Sequence, residues 1–399
     1  MNILFIVTEL NSANGICTQS VMREFSARGQ SVYCITNNEQ HDILSLDIKY
    51  SYVKPRLVYR LLTSRKTVPT FLGAILNKIK LAMSYPTWPL ISPMYTMRIY
   101  REAKKICREN KIDIIIPIYT QIDTIIAAQK IKKDHPEIKY IPYFLDSLSG
   151  GYGPKCFSKD WIVRRGMKWE DRLLERADKI VMMQSSREHY LANSKHKDYF
   201  HKMVFLDLPL ITKPQYVSNN KKTDKLIHLV YVGTIPVHIR NPEYFLKVFS
   251  KTNNQNYRLH IIGTSTCFDM LNEYASKDSR ITVEGPISHD EAMKRIAEAD
   301  VMVNFGNNNS MMTPSKIFEY MSYGKPIIST MPITNEPSAV YLKKYPLAYV
   351  VDYADNDLDN VAKEMQLWID SVIGSTIPFD SVKEMFINNT PKSFFDIVV

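Results

Sequence analysis

The densest group of chemistry-bearing residues is the stretch Thr313-Pro314-Ser315-Lys316-Ile317-Phe318-Glu319-Tyr320-Met321-Ser322-Tyr323-Gly324-Lys325-Pro326, which follows the asparagine-rich loop Asn307-Asn308-Asn309. Its pattern predicts a helix over Ser315 to Ser322, with Thr313 as N-cap and Pro314 at the first position. The free amides and positive dipole end of such a helix suit a diphosphate, and Lys316 adds a point charge beside them. Glu319 falls one turn further along the same face, where a carboxylate can accept hydrogen bonds from ribose hydroxyls. The same residues would equally make a capped surface helix carrying an i,i+3 ion pair.

A second kind of chemistry needs an acid. Asp146 follows the predicted strand Tyr140 to Leu145 and precedes the flexible run Ser147-Leu148-Ser149-Gly150-Gly151, so it could deprotonate a hydroxyl group. An aspartate there could also simply cap its own loop. Glu9, after the first strand, is another acid for the same role, and Ser185-Ser186-Arg187 ends a further strand. Five scattered cysteines show no C-x-x-C spacing, and nine histidines show no H-x-H or H-E-x-x-H pairing, so neither a disulfide framework nor a metal site is expected. No cofactor is expected either.

These residues need strands and helices to hold them. Ile3 to Val7 is a continuous apolar run, followed by a polar loop ending in Asn14-Gly15 and by Val21, Met22 and Phe25 at helical spacing. Arg28-Gly29-Gln30 ends that helix and Ser31 to Thr36 starts a second strand, a βαβ opening. Further strands are predicted at Asp113 to Ile118, Tyr140 to Leu145 and Lys179 to Met183, with helices at Met97 to Arg108 and Trp169 to Ala177. The rhythm restarts with strands at Leu229 to Val232, Arg258 to Ile262, Arg280 to Val283, Val301 to Phe305 and Pro326 to Ser329. Helices are predicted between them at Pro242 to Ser250, Cys267 to Ala275 and Ser288 to Ala299. At 399 residues the chain exceeds the usual size of a single core. The expectation is an α/β protein of two Rossmann-like domains: 1–205, a linker at 206–226, 227–375, and a tail at 376–399 packing back on the first domain. Ligands of such sheets lie beyond the carboxyl ends of the strands, so two domains facing each other across a cleft would enclose a substrate.

Charge is unevenly distributed. Lys54 to Lys111 holds thirteen Lys/Arg against Glu102 and Glu109, so this segment carries the whole net charge of +10. It also carries Tyr59, Phe71, Tyr85, Trp88, Tyr95 and Tyr100, a mixture suited to an anionic membrane surface. A solvated basic face is the alternative. Nucleic acid is not expected as a partner, because no RNP, KH, zinc-finger or helix-turn-helix pattern accompanies the basic residues. The N-terminal Met-Asn-Ile-Leu-Phe-Ile-Val lacks the basic region and apolar length of a signal peptide. The expected location is cytoplasmic, peripheral at the inner face of the cell membrane.

The stretch Pro314 to Pro326 resembles the donor-site motif of GT-B glycosyltransferases of the GT4-like superfamily, P-S-K-x-x-E-Y-M-x-x-G-K-P-I, and matches nearly every position. Val230-Tyr231-Val232-Gly233-Thr234, with Arg240-Asn241-Pro242 after it, is similar to the strand and phosphate loop that open the family's donor domain. His260-Ile261-Ile262-Gly263 and Val283-Glu284-Gly285-Pro286-Ile287 resemble its next two strand ends. Asn14-Gly15 and Arg28-Gly29-Gln30-Ser31-Val32 are similar to the family's N-terminal glycine loop and R-G-H-x-V element.

The resemblance implies a GT-B fold and a metal-independent glycosyltransferase of hexosyl type. It would move a sugar from a nucleotide donor, UDP-linked, to a glycan or polyprenyl-linked acceptor in cell-surface polysaccharide synthesis. Glu319 would bind the ribose, Arg240 and Lys316 the diphosphate, and the backbone from Gly285 to Ser288 the base. Gly15, Gly233, Thr234, Gly263, Pro286, Ile287 and Ser315 would complete the donor contacts. The position eight residues before Glu319, acidic in many retaining members, is Met311, which leaves the grip on the sugar ring and the stereochemistry open. A nucleotide-sugar epimerase or hydrolase of the same fold, and a degenerate donor-binding subunit, are the alternatives.

Overall fold

A computed structural model describes residues 1–38, 47–55, 88–89, 91–151, 153, 157–216, 225–310 and 312–399. Met311, Cys156, residues 217–224 of the expected linker and most of the basic segment, including Tyr59, Phe71 and Tyr85, lie outside the described residues. The chain divides into two compact units, Met1–Pro209 with Pro391–Val399, and Leu210–Thr390.

Unit 1 has strands β1 (Asn2–Ile6), β2 (Ser31–Thr36), β3 (Ile48–Tyr52), β4 (Ile114–Pro117), β5 (Lys139–Tyr140), β6 (Tyr143–Phe144), β7 (Ile180–Met183) and β8 (Met203–Leu206). They pair in parallel in the orders β3-β2-β1-β4-β5 and β6-β7-β8. The central strand β1 buries Ile3 to Val7 almost completely, as a strand covered on both faces must. The single strand expected over Tyr140 to Leu145 is two short ones, because Pro142 has no amide to donate. The sheet is carried past that break by Tyr119, whose amide donates to the Tyr143 carbonyl at 2.8 Å.

Helices α1 (Ala13–Ala27), α2 (Pro93–Asn110), α3 (Ile122–Asp134), α4 (Lys159–Leu174) and α5 (Arg187–Ser194) flank the strands. Ser12 caps α1 by accepting from the Gly15 amide, and Gly29, at φ 76°, ends it in the left-handed conformation glycine favours. The helix expected over Trp169 to Ala177 is α4. It begins ten residues earlier, where Ser158 accepts from the Trp161 amide, and ends three residues sooner.

Unit 2 has strands β9 (Ile227–Val232), β10 (Tyr257–Ile262), β11 (Ile281–Glu284), β12 (Val301–Asn304), β13 (Ile327–Met331) and β14 (Ala348–Asp352), in the order β11-β10-β9-β12-β13-β14. All pairs are parallel. Its helices are α6 (Glu243–Ser250), α7 (Phe268–Lys277), α8 (His289–Glu298), α9 (Lys316–Ser322), α10 (Ala339–Leu342), α11 (Leu358–Val372) and α12 (Phe379–Met385). Strand order reverses between β1 and β4 in unit 1 and between β9 and β12 in unit 2, and it is at such switch points that loops diverge and leave room for a ligand.

The last helix, α13 (Pro391–Val398), belongs to unit 1. Phe394 and Phe395 stand 6.3 Å and 4.9 Å from the Phe25 ring, Phe394 lies 4.6 Å from Tyr143, and the Arg28 guanidinium covers Phe395. Among the described residues no helix is long and apolar enough to cross a membrane.

Candidate nucleotide-binding site

At the switch point of unit 2, two loops are stitched together. The β9–α6 loop carries Gly233, Thr234 and Arg240; the β12–α9 loop carries Asn307 and Asn308. The Asn308 amide donates to the Ile239 carbonyl at 2.9 Å, and its side chain donates to the His238 carbonyl at 2.7 Å. Arg240 Nε donates to Asn307 Oδ1 at 2.7 Å, and Nη1 donates to the Thr234 carbonyl at 3.2 Å. Both acceptors are neutral. Among the described residues no carboxylate forms an ion pair with Arg240, so a half-buried guanidinium keeps an uncompensated charge.

Asn307 was not singled out in the sequence, yet it organises this corner. It is 1% exposed. Its amide donates to Glu336 Oε1 at 3.3 Å and its side-chain nitrogen donates to the Met312 carbonyl at 2.5 Å. Glu336 also accepts from the Ser338 amide at 2.8 Å and from the Ser338 hydroxyl. Burial raises the pKa of the Glu336 carboxyl against the pull of those donors.

The helix with the motif starts later than the sequence suggested. Thr313 is not its N-cap and Pro314 not its first residue: α9 runs Lys316–Ser322, and Ser315 occupies the cap without a side-chain cap bond. The hold of Asn307 on Met312 keeps the preceding residues out of the helix. Lys316 Nζ and Glu319 Oε2 form an ion pair at 2.7 Å, with side chains 21% and 14% exposed. Tyr320, fully buried, accepts at its hydroxyl from the Val232 amide at 3.1 Å and so fixes α9 to the end of β9.

The glycines have steric reasons. Gly263 has φ 137°, and a methyl group there would sit 1.9 Å from the Gly233 carbonyl oxygen, so the ends of β9 and β10 approach this closely only because residue 263 is glycine. Thr234 and Thr264 pair through their hydroxyls at 3.0 Å. Gly285 and Pro286 are exposed beyond β11, Ile287 is half-buried, and Ser288 caps α8 by accepting from the Glu291 amide. Asp355-Asn356-Asp357 has a D-x-D spacing of the kind that holds a divalent ion in metal-dependent transferases. Here Asp355 Oδ1 accepts from the Asp357 amide at 2.9 Å, and Asp357 caps α11 by accepting from the Asn360 amide at 3.1 Å.

In unit 1, Gly15 lies under the β1–α1 loop, where a methyl group would come 2.1 Å from the Glu9 carbonyl oxygen and 2.3 Å from that of Leu10. Asn14 Nδ2 donates to Asp146 Oδ2 at 3.0 Å, which joins the glycine loop to the acid after β6. Glu9 is exposed, and its carbonyl accepts from Ser12 Oγ. Ser186 Oγ donates to the Met183 carbonyl at 2.7 Å, a turn-closing bond.

Residues 227–362 match the family model described as glycosyl transferases group 1. No curated protein sequence matches significantly. Among solved structures, a glycosyltransferase from Rickettsia africae superposes with a TM-score of 0.64 at 13% identity, over 100% of this chain and 97% of its own. The apo form of the lipopolysaccharide outer core galactosyltransferase WaaB gives 0.59 at 15% identity, over 100% and 99%. Alr3699/HepE from Anabaena, in complex with UDP, gives 0.57 at 12% identity, over 100% and 96%. The fold of this chain is that of GT-B glycosyltransferases.

Proposed function

We propose that this GT-B chain, with the group 1 glycosyl transferase match in its second unit, transfers a hexose from a UDP-linked donor to a glycan or polyprenyl-linked acceptor of cell-surface polysaccharide synthesis. The observation that carries the reading is Arg240, a half-buried guanidinium that among the described residues is held by neutral oxygens and by no carboxylate. A diphosphate supplies the missing countercharge, and the fork geometry of arginine suits its oxygens. Lys316 and Glu319 form an ion pair with each other; on nucleotide binding Lys316 turns to phosphate and Glu319 to the ribose hydroxyls. The exposed backbone at Gly285 and Pro286 then meets the base.

The chemistry needs stabilisation of the departing UDP more than covalent help. Positive charge on the β-phosphate lowers the barrier to breaking the C1–O bond, and Arg240 and Lys316 provide it without a metal ion. Asp146, oriented by Asn14, accepts the proton of the acceptor hydroxyl. The described part of the basic segment is α2, whose buried side carries Tyr95, Ile99, Ala103 and Ile106 and whose other side exposes Arg98, Arg101, Lys105 and Arg108. That face docks on anionic lipid and brings the enzyme to a membrane-anchored acceptor.

The test is Arg240→Lys, which keeps a charge but loses the fork. UDP should stabilise the wild type against heat and should stabilise the variant far less. An unchanged UDP shift would refute the assignment of the diphosphate. Anionic liposomes should retain the protein at low salt and neutral ones should not; equal retention would refute the membrane role.

A further inference from the structure

Unit 1 contains a buried acid that neither the donor contacts nor the acceptor hydroxyl requires. Glu170, on α4, is 0% exposed. Its Oε1 accepts from the Ser149 amide at 3.1 Å and from the Tyr190 hydroxyl at 2.8 Å, and its Oε2 accepts from the Ser149 hydroxyl at 2.7 Å. Ser149 Oγ also meets His189 Nε2 at 2.7 Å. Tyr190 in turn meets Ser147 Oγ at 2.9 Å, and Ser147 Oγ accepts from the Gly150 amide at 2.8 Å. Helices α4 and α5 therefore grip the loop after Asp146 at both of its serines. The approach is close enough that a methyl group on Gly166 would come 2.5 Å from Ser149 Cα. This is no nucleophilic triad. The carboxylate touches the serine rather than the far nitrogen of the imidazole, and Ser149 is 1% exposed.

We propose that Glu170 is a positioning residue for transfer: as a carboxylate it clamps residues 147–151 and so holds Asp146 in its working position, and its protonation reverses the clamp. The proposal rests on the reading of Asp146 as the acceptor-side acid. In the carboxylate form the Ser149 hydroxyl donates to Glu170 and accepts from His189 Nε2–H. When Glu170 takes up one proton, the carboxyl donates to Ser149 Oγ, the serine hydrogen turns to His189 Nε2, and the imidazole carries its proton on Nδ1. Asn193 Nδ2, 3.4 Å from Nδ1, can donate there only in the first arrangement.

Burial pushes the Glu170 carboxyl up to about 7, against the hydrogen bonds that lower it. Burial and the charge of Lys159 hold His189 below its ordinary value, which favours the neutral imidazole. The other titratable groups facing the carboxyl are Tyr190 on α5, Tyr119 after β4 and Tyr199, all raised chiefly by burial, while Asp146 faces Tyr119. Among the described residues no lysine or arginine pairs with Glu170.

The experiment follows UDP release from the UDP-sugar that the wild type turns over, between pH 5.5 and 9. Wild-type kcat should fall on the acid side of a midpoint near 7, with the donor KM unchanged. Glu170→Gln imitates the protonated carboxyl, so its kcat should lie on the order of tenfold or more below the wild-type plateau at every pH, with no limb near 7. Its UDP thermal shift should be that of the wild type. Tyr190→Phe removes a donor that lowers the Glu170 pKa and should move the limb to higher pH, a response that a purely structural contact would not give. A Glu170→Gln enzyme with the wild-type plateau and limb would overturn the proposal. Asp146→Asn separates the two ideas: full turnover in it would overturn the Asp146 reading and this proposal together, whereas an inactive Asp146→Asn beside an unaltered Glu170→Gln would overturn this proposal alone.

Discussion

Replacing Glu170 by Gln should make the protein more stable above neutral pH and leave it unchanged in acid. The magnitude follows from the burial of the carboxyl, which moves its pKa from 4.5 to about 7. A group whose native pKa is raised binds its proton more tightly in the folded state. Its contribution to stability is complete below pH 4.5 and is lost as pH rises through 7. At about 1.4 kcal/mol per pH unit, the charged form costs the native state about 3 kcal/mol at pH 8, and no solvent screening reduces this for a side chain with no exposure. Gln keeps an acceptor for the Ser149 amide and Tyr190 and has a donor for Ser149 Oγ, so the side chain stays packed and satisfied while the direction of the Ser149 hydroxyl bond is reversed. Urea unfolding followed by tryptophan fluorescence reads mainly unit 1, which holds Trp88, Trp161 and Trp169 of the four tryptophans. The variant midpoint should exceed that of the wild type by about 1 M at pH 8 and come close to it at about pH 4. Equal midpoints at pH 8, or the same gap at both pH values, would refute the reasoning. A variant that is tougher yet slower would mean that this acid is retained for activity at the expense of stability.

Two further outcomes test the second unit. Glu319→Ala removes the carboxylate assigned to the ribose and leaves Lys316 without its partner, so UDP should bind roughly tenfold to a hundredfold more weakly by calorimetry, the loss of one or two charge-assisted hydrogen bonds. Gly263→Ala puts a methyl group against the Gly233 carbonyl at φ 137° and should lower the melting temperature by several degrees and weaken UDP binding with it; a variant as stable as the wild type would show that the β9 and β10 ends can separate without penalty.

What could be read in the sequence and what could not differ in range along the chain. The strands β1, β9 and β12 are continuous apolar runs and announce themselves locally, as do Lys316 and Glu319 at helical spacing. The strands β3 and β14 are less legible, because they are sheet edges whose residues are partly exposed, which dilutes the apolar signal. The start of α4 was hidden by its polar first turn, Lys159-Asp160, and the start of α9 was displaced by Asn307, whose grip on Met312 is a tertiary contact. Glu170 sits in the charged run Glu170-Asp171-Arg172, which looks like a solvated face until the fold brings Ser149 to it. Asn14 meets Asp146 across 132 positions of chain. Such pairings follow from topology, and periodicity carries no trace of them.

The return of α13 to the first unit bears on the order in which the protein can be made. Phe394 and Phe395 complete a core begun by Phe5 and Phe25, but the ribosome delivers them only after all of Leu210–Thr390. The second unit is one uninterrupted span and can settle while synthesis continues. The first must wait with an apolar groove beside α1 and Tyr143 uncovered. In a growing chain the half translated first is therefore the half finished last.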